Sequence, residues 1–309
     1  MRFFAATGES VARVDDNDVH VTLEGSGAQC VAADGDRVFV GTFDRGIYRS
    51  LDGGETWADV TDGIPHKRVL AVCISPHGEV YAGTEPSSLY RSTDNGESWE
   101  DLASLRDVPS YDTWFFPPRP ETHHVRWIAP HADDANAIHV GIELGGVLRT
   151  NDGGKTFEDR HPDAVIDPHV VHAHPRAPDR IYAIGGDGVS YSTDSGETWT
   201  RDTDGMDRFY TWGLAVDPDD PDLWYVSAAP GPDRAHGGGD SQGRLFRKHG
   251  NQAWEPISDV VADMPYALKA PAAGTLVVGM RSGEIRVSSD AGDTWHPLGP
   301  KVPGILSLA

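Results

Sequence analysis

The sequence has little positive charge. Its 26 Lys and Arg stand against 48 Asp and Glu in 309 residues, and only five of those cations are lysines. A surface that tracks phosphate backbones needs clustered cations, so nucleic acid is excluded as a partner and an anionic membrane surface is disfavoured. Long apolar runs are missing as well: nothing approaches the roughly 18 apolar residues that cross a bilayer, and the opening residues lack the apolar core of a secretion signal. A cytoplasmic monomer without membrane insertion is expected. Cysteine is scarce. Cys30 and Cys73 fit a reducing compartment, and each sits in a strand-like apolar run where a small buried hydrophobe is the plain reading. Helical periodicity is almost absent. What is present suffices for a core, with 38% hydrophobic residues and nine each of Trp, Tyr and Phe.

The dominant signal is an internal repeat. Five octets, Ser50–Trp57, Ser92–Trp99, Thr150–Phe157, Ser192–Trp199 and Ser288–Trp295, share the pattern S/T-x-D-x-G-x-T/S-W/F. A sixth segment ending at Trp254 keeps only the closing aromatic, and the closing aromatics are spaced 42, 58, 42, 55 and 41 residues apart. This is a base period near 42 with two insertions. Short β-branched or aromatic runs broken by Gly and polar turns precede and follow each octet, so each repeat reads as about four strands. Within an octet the Asp can accept hydrogen bonds from its own turn, the Gly supplies a positive φ, the hydroxyl closes the turn and the aromatic plugs the gap between sheets. Asp52, Trp57, Asp94, Trp99, Asp152, Phe157, Asp194, Trp199, Asp290 and Trp295 are therefore structural.

These octets match the Asp-box, or BNR, repeat, and the chain resembles the sialidase-like β-propellers, a superfamily that also holds sortilin-type receptors, xyloglucan-degrading enzymes and the photosystem II assembly factors. The resemblance implies a propeller with its boxes on the outer turns, away from the ligand-binding face. Inner-strand candidates open six repeats at Gln29–Asp34, Arg68–Pro76, His123–Pro130, His169–Pro175, Trp212–Pro218 and Tyr266–Pro271. The segment Val302–Ala309 supplies one more inner strand, and the first 24 residues supply three strands that lack one. The expected fold is all-β and single-domain, a seven-bladed β-propeller. Blades 1–6 span about 28–61, 66–102, 123–160, 168–202, 210–258 and 264–299, and a last blade is closed by both termini from 1–24 plus 302–309. Six blades is the alternative. The acid excess, 35 Asp and 13 Glu against 21 Arg and 5 Lys, also resembles proteins of halophilic organisms with salt-rich cytoplasm, where net charge preserves solubility.

If the strands run outward from the axis, the boxes lie on one face, and the loops from each outer strand to the next inner strand lie on the other. The insertions Leu102–Thr122 and Ala228–Gly243 fall on that second face. Near the channel mouth the inner strands offer Arg68, His123, His124, His169, Tyr210, Trp212 and Tyr266, and the loops add Asp44, Arg45, Glu85, Glu143, Asp187, His236, Asp240 and Arg281. Of these, His124, Glu143, His169 and Tyr210 are the catalytic candidates. Arg68, His123, Trp114, Trp212, Asp187, His236, Tyr266 and Arg281 are ligand-binding candidates. Two imidazoles with a carboxylate, drawn from His123, His124, His169 and Glu143, would suit a divalent metal at the mouth. Trp114, Phe115 and Phe116 stand side by side in the long insertion, as a stacking platform if exposed or a packing anchor if not.

A sialidase is disfavoured. The Arg-Ile-Pro motif of that family is missing, and Arg45, Arg68 and Arg281 are the only loosely placed arginines for a carboxylate clamp. The arginine-rich patch of the assembly-factor branch has no counterpart either. The primary reading is a binding or assembly scaffold for a protein, peptide, carbohydrate or small polar ligand. Its alternative is a glycoside hydrolase-like or lyase/lactonase-type enzyme using the His and carboxylate groups.

Overall fold

A computed structural model describes residues 2–15 and 18–309; Met1, Asp16 and Asn17, which fall within the expected last blade, lie outside the described residues. Seven small antiparallel sheets stand in a ring, each ordered from an inner to an outer strand. The inner strands are Ala28–Asp34, Arg68–Ile74, Val125–Pro130, Pro168–His174, Tyr210–Val216, Pro265–Ala272 and, for the closing blade, Ser307–Leu308. Blade 3 keeps three full strands, and its fourth shrinks to one bridge between Arg149 and Glu158. No described helix is long and apolar enough to cross a membrane.

The burial pattern explains the ring. The second strands, such as Val80–Glu85 and Ile138–Ile142, are buried at every position because both faces press on neighbouring blades. Such a sheet cannot stand alone; it needs a neighbour on each side. Burial likewise pushes the Cys30 and Cys73 thiols up to about 12, in keeping with packing roles.

Both termini share the last blade. Ala5 pairs with Leu308 and Ala6 with Ser307, flanked by backbone bonds between Phe4 and Ala309 in both directions at 2.9 and 2.8 Å. The strand Arg2–Ala6 alternates its contacts with the period of two that β geometry dictates. Phe3 and Ala5 pack with Ile285, Ile305 and Leu308 toward blade 6, whereas Phe4 and Ala6 pack with Ala28, Val31 and Val38 toward blade 1.

The box turns carry the expected bonds. Asp52 accepts the Ser50 hydroxyl at 2.7 Å, the Thr56 amide at 2.9 Å and the Thr56 hydroxyl at 2.6 Å, while Ser50 in turn accepts the Gly54 amide at 2.8 Å. Gly54 adopts φ +87°, open to glycine without strain. Asp94, Asp152, Asp194 and Asp290 repeat the pattern. Two of the closing aromatics hydrogen-bond back to the preceding blade: Trp57 donates to Thr22, and Trp99 donates to the Val60 carbonyl. In the eroded sixth repeat Trp254 still donates to the Asp202 carbonyl at 2.9 Å, and Lys248 binds the Asp202 carboxylate.

The box hydroxyl, or at Asp152 the Thr156 amide, leads the donors that hold all five aspartates at about 2, below the ordinary 3.8. A folded-state value below the unfolded one adds stability that is complete above pH about 4 and drains away as pH falls toward about 2. Asp94→Asn should therefore flatten the slope of unfolding free energy against pH in that window, read by denaturant titration at several pH values. Leu308→Ala should lower unfolding free energy by about 2–5 kcal/mol, because it empties a buried site in the closing blade that neighbours cannot refill.

Candidate functional site

The candidate residues gather where inner strands begin on the loop-rich face. His124 immediately precedes the strand Val125–Pro130, and Glu143 follows the second strand of the same blade, so antiparallel pairing sets the two side by side. His124 Nε2 lies 2.9 Å from Glu143 Oε2. Arg126, one pleat along the strand, brings Nε within 3.5 Å of the same oxygen and lays its guanidinium over the Trp212 ring at 4.9 Å.

From the next blade come Asp167 and His169. The His169 ring is fully buried; Nδ1–H donates to the Thr211 carbonyl at 2.6 Å, and Nε2 faces Asp167 Oδ2 at 3.7 Å, beyond hydrogen-bond reach. Asp167 Oδ1 accepts the Leu144 amide at 3.2 Å. Gly185 and Gly186 make room for this loop: a Cβ on Gly185 would stand 2.0 Å from the Asp167 carbonyl oxygen, and one on Gly186 would stand 2.1 Å from its carboxylate. Glu143, Asp167 and His169 each offer one ligand atom within 4.8 Å of the others.

Blades 5 and 6 add an aromatic wall. His236, in the short helix Pro232–His236 of the second insertion, sits between two tyrosines, with Nε2 2.7 Å from the Tyr210 hydroxyl and Nδ1 2.7 Å from that of Tyr266. A neutral imidazole accepts at one nitrogen and donates at the other, so the three groups form a continuous hydrogen-bonded chain that a tautomer change reverses. The Trp212 ring contacts His169, His236 and Tyr266 at centroid distances of 4.3, 4.5 and 4.9 Å.

The electrostatics diverge within this small volume. Burial opposes charge on Glu143, yet the His124 hydrogen bond, with His169 and Arg126 nearby, pulls its carboxyl down to about 2. Burial pushes Asp167 up to about 7, reinforced by the neighbouring Glu143 charge. Burial lowers His169 to about 4 and also lowers His236, while it raises Tyr266 to about 12 and lifts Tyr210 as well. Such divergence within one cluster is a feature of sites that bind or transform a ligand.

The other expected residues serve neighbouring tasks. Arg68 and Arg119 both bind Glu85, whose side chain is 1% exposed; Arg119 does so in bidentate fashion at 2.6 Å for each bond. Both guanidiniums lie over Phe43, and Arg119 also covers Phe116. Burial works against the Glu85 charge, but the two arginines hold its carboxyl below the ordinary range. His123 faces Ser87 at 2.9 Å and sets its ring against Tyr111 and Trp114, outside the group of three that could hold a metal. His124 is likewise outside that group; its Nε2 is engaged with Glu143. Trp114 is buried, with its indole N–H on Ser110, and anchors the insertion; Phe115 is the exposed ring of the trio. Asp187 accepts the Ile166 and Asp167 amides and Arg201, which places the Asp167 loop. Arg281 donates to the Ala235 and Gly237 carbonyls and so clamps the helix bearing His236. Asp240 Oδ1 accepts the Gln242 amide, and Asp44 and Arg45 stay exposed.

Arg126 and Asp167 were not among the sequence candidates. Arg126 sits inside a strand where alternation gives no cue to the axis-facing side, and Asp167 precedes an inner strand whose start was placed at His169. The paired glycines at 185–186 were the available signal for a close approach.

Comparison with known proteins defines a class. The BNR/Asp-box repeat profile matches residues 90–101, and the ring of seven sheets is a propeller carrying such repeats. No curated protein matches the chain. Among solved structures it is similar to an ancestral GH74 enzyme, with a TM-score of 0.64 and 17% identity, over 93% of this chain and 38% of that one. It thus spans well under half of that enzyme's length. YCF48 bound to D1 peptide superposes with a TM-score of 0.61 at 18% identity, covering 87% and 81% of the two chains. Virginiamycin B lyase from Staphylococcus aureus does so with 0.63 at 13%, covering 95% and 88%. Identities this low speak to fold alone.

Glu85→Ala leaves two guanidiniums without their partner, should cost about 3–5 kcal/mol, and should free the 102–122 insertion. Limited proteolysis is expected to cut that insertion faster in the variant than in the wild type; equal rates would show that Glu85 does not hold it.

Proposed function

We propose that the channel mouth is a catalytic centre of hydrolase or lyase type that acts on a polar ligand, such as a carbohydrate. The observation that carries this reading is the Tyr210–His236–Tyr266 hydrogen-bonded chain set beside the Glu143–Asp167–His169 cluster. Buried ionisable groups burden stability, and neither the ring closure nor the box turns use these. The chain provides a route for a proton to or from a bound ligand, with Tyr210 nearest the carboxylates and Tyr266 at the far end. Glu143, ionised and held by His124 and Arg126, supplies fixed negative charge for a cationic transition state or a hydrogen bond to a ligand hydroxyl. Arg281 is a positioning residue, since it acts through the helix that carries His236. GH74 enzymes and a lyase among the similar folds are compatible with this chemistry and do not select a substrate.

A second reading, capture of a peptide partner, draws on the rim. Of the seven exposed large hydrophobics among the described residues, Phe43, Phe115, Ile166, Phe209 and Val260 lie on loops of the mouth face, leaving only Val21 and Leu51 elsewhere. An apolar rim around a polar floor suits a docked chain.

Aryl glycosides, polyuronates and aliphatic lactones are the three substrate classes to assay. His236→Ala and Tyr210→Phe should each lower kcat about 100-fold or more with little change in KM, as for loss of a proton-transfer group. Absence of turnover in all three classes, together with peptide-array binding that Phe115→Ala abolishes and His236→Ala spares, would put the scaffold reading in its place.

A further inference from the structure

We infer that Glu143, Asp167 and His169 form a seat for one divalent first-row transition cation, with its remaining positions open to water or to an oxygen of the ligand. The seat deepens the catalytic reading, on which it rests for its purpose, while its existence rests on geometry.

The decisive atom is His169 Nε2. The ring is fully buried, Nε2 has no hydrogen-bond partner, and it points toward the Asp167 carboxylate. The other ring nitrogen donates to the Thr211 carbonyl, which fixes the tautomer and leaves the lone pair on Nε2. An imidazole with one nitrogen tied to a backbone carbonyl and the other free is the arrangement that metal-ligating histidines adopt. The two carboxylates are oriented in the same manner, Asp167 by the Leu144 amide and Glu143 by His124. Each of the three ligands therefore has a supporting partner while one donor atom of each stays within 4.8 Å of the others.

Distances and charge agree. Tetrahedral ligands with bonds of about 2 Å stand about 3.3 Å apart. Here the ligand atoms lie within 4.8 Å of one another, and one pair is at 3.7 Å. A contraction of up to about 1.5 Å, within reach of rotations of the Glu143 and Asp167 side chains, would close the set. The facing charged groups are Glu143, Asp167, Asp187, Arg126 and Arg201; Arg201 pairs with Asp187 at 2.8 Å, and Arg126 is partly occupied with Trp212. The excess of carboxylate over guanidinium leaves room for a cation. One nitrogen with two oxygens favours zinc, manganese or ferrous iron over calcium or magnesium, which prefer all-oxygen sets.

Plasma mass spectrometry on the full chain, dialysed against metal-free buffer, is expected to read about one such ion per molecule, and Asp167→Asn and His169→Ala should read about a tenth of that or less. His249→Ala, at an exposed histidine outside the mouth, should keep the full complement. His124→Ala should weaken Zn2+ affinity about 10–100-fold in competition with a chromogenic chelator. Because His169→Ala opens a buried site, Asp167→Asn is the reference variant. Chelator-stripped wild type should gain thermal midpoint on adding Zn2+ or Mn2+, and stripped Asp167→Asn should not. Stripped wild type that neither takes up nor responds to these ions overturns the seat, as does equal loading of wild type and Asp167→Asn. Stoichiometric metal without turnover would uphold the seat and sink the catalytic reading. Full turnover in protein that binds no ion would do the reverse.

Discussion

Everything in this molecule depends on closing the ring. A blade whose second strand is buried on both faces has no stable existence at an edge, so the first and last blades must meet. The junction is made by a few residues: Ala5 and Ala6 pair with Leu308 and Ser307, while Phe3 and Phe4 face opposite ways into blades 6 and 1. One short strand thus joins two hydrophobic clusters. Three of the repeat aromatics add the same kind of tie at the outer rim: Trp57 and Trp99 hydrogen-bond back one blade, as does Trp254, where the Asp of the box has been lost.

A closed ring is rigid, and rigidity at the mouth is what lets polar groups be buried there. The inner strands converge with their first residues at one end of the channel, so side chains from four blades meet although the blades contribute them from distant parts of the sequence. His124 and Glu143 come from blade 3, Asp167 and His169 from blade 4, Tyr210, Trp212 and His236 from blade 5, and Tyr266 from blade 6. Blades 1 and 2 contribute the Phe43, Arg68 and Glu85 group, which holds the long insertion beside the mouth through Arg119. The two insertions have different roles in this arrangement: one is anchored by Trp114 and Glu85, and the other brings His236 into contact with two tyrosines.

The propeller was legible in the octets because a box is a local device. Ser50, Asp52, Gly54 and Thr56 satisfy one another within a single turn, so their spacing alone implies their geometry. Blade count was legible from the unpaired segments at the two ends, since an unmatched strand has to find a partner. The mouth was legible only in part. Glu143, His169, Tyr210 and His236 were accessible to reasoning because strand starts and inter-strand loops are predictable positions. Arg126 was hidden by a pleat whose direction alternation does not give, and Asp167 by its place in the loop just before an inner strand that begins at Pro168.

What the sequence determined by itself is the set of short-range structures: the turns, the four-strand repeat and the order of strands within each blade. These follow from hydrogen bonds and backbone preferences acting over a few residues. What only the tertiary structure decided is which polar groups face one another across blades. That outcome depends on the side-chain direction at the channel and on close backbone approach, as at Gly185 and Gly186, where the added bulk of a single Cβ would push Asp167 away from His169. It also set the charge state of the mouth: the His124 partner holds Glu143 ionised against its burial, whereas burial beside the Glu143 charge raises Asp167 toward neutrality.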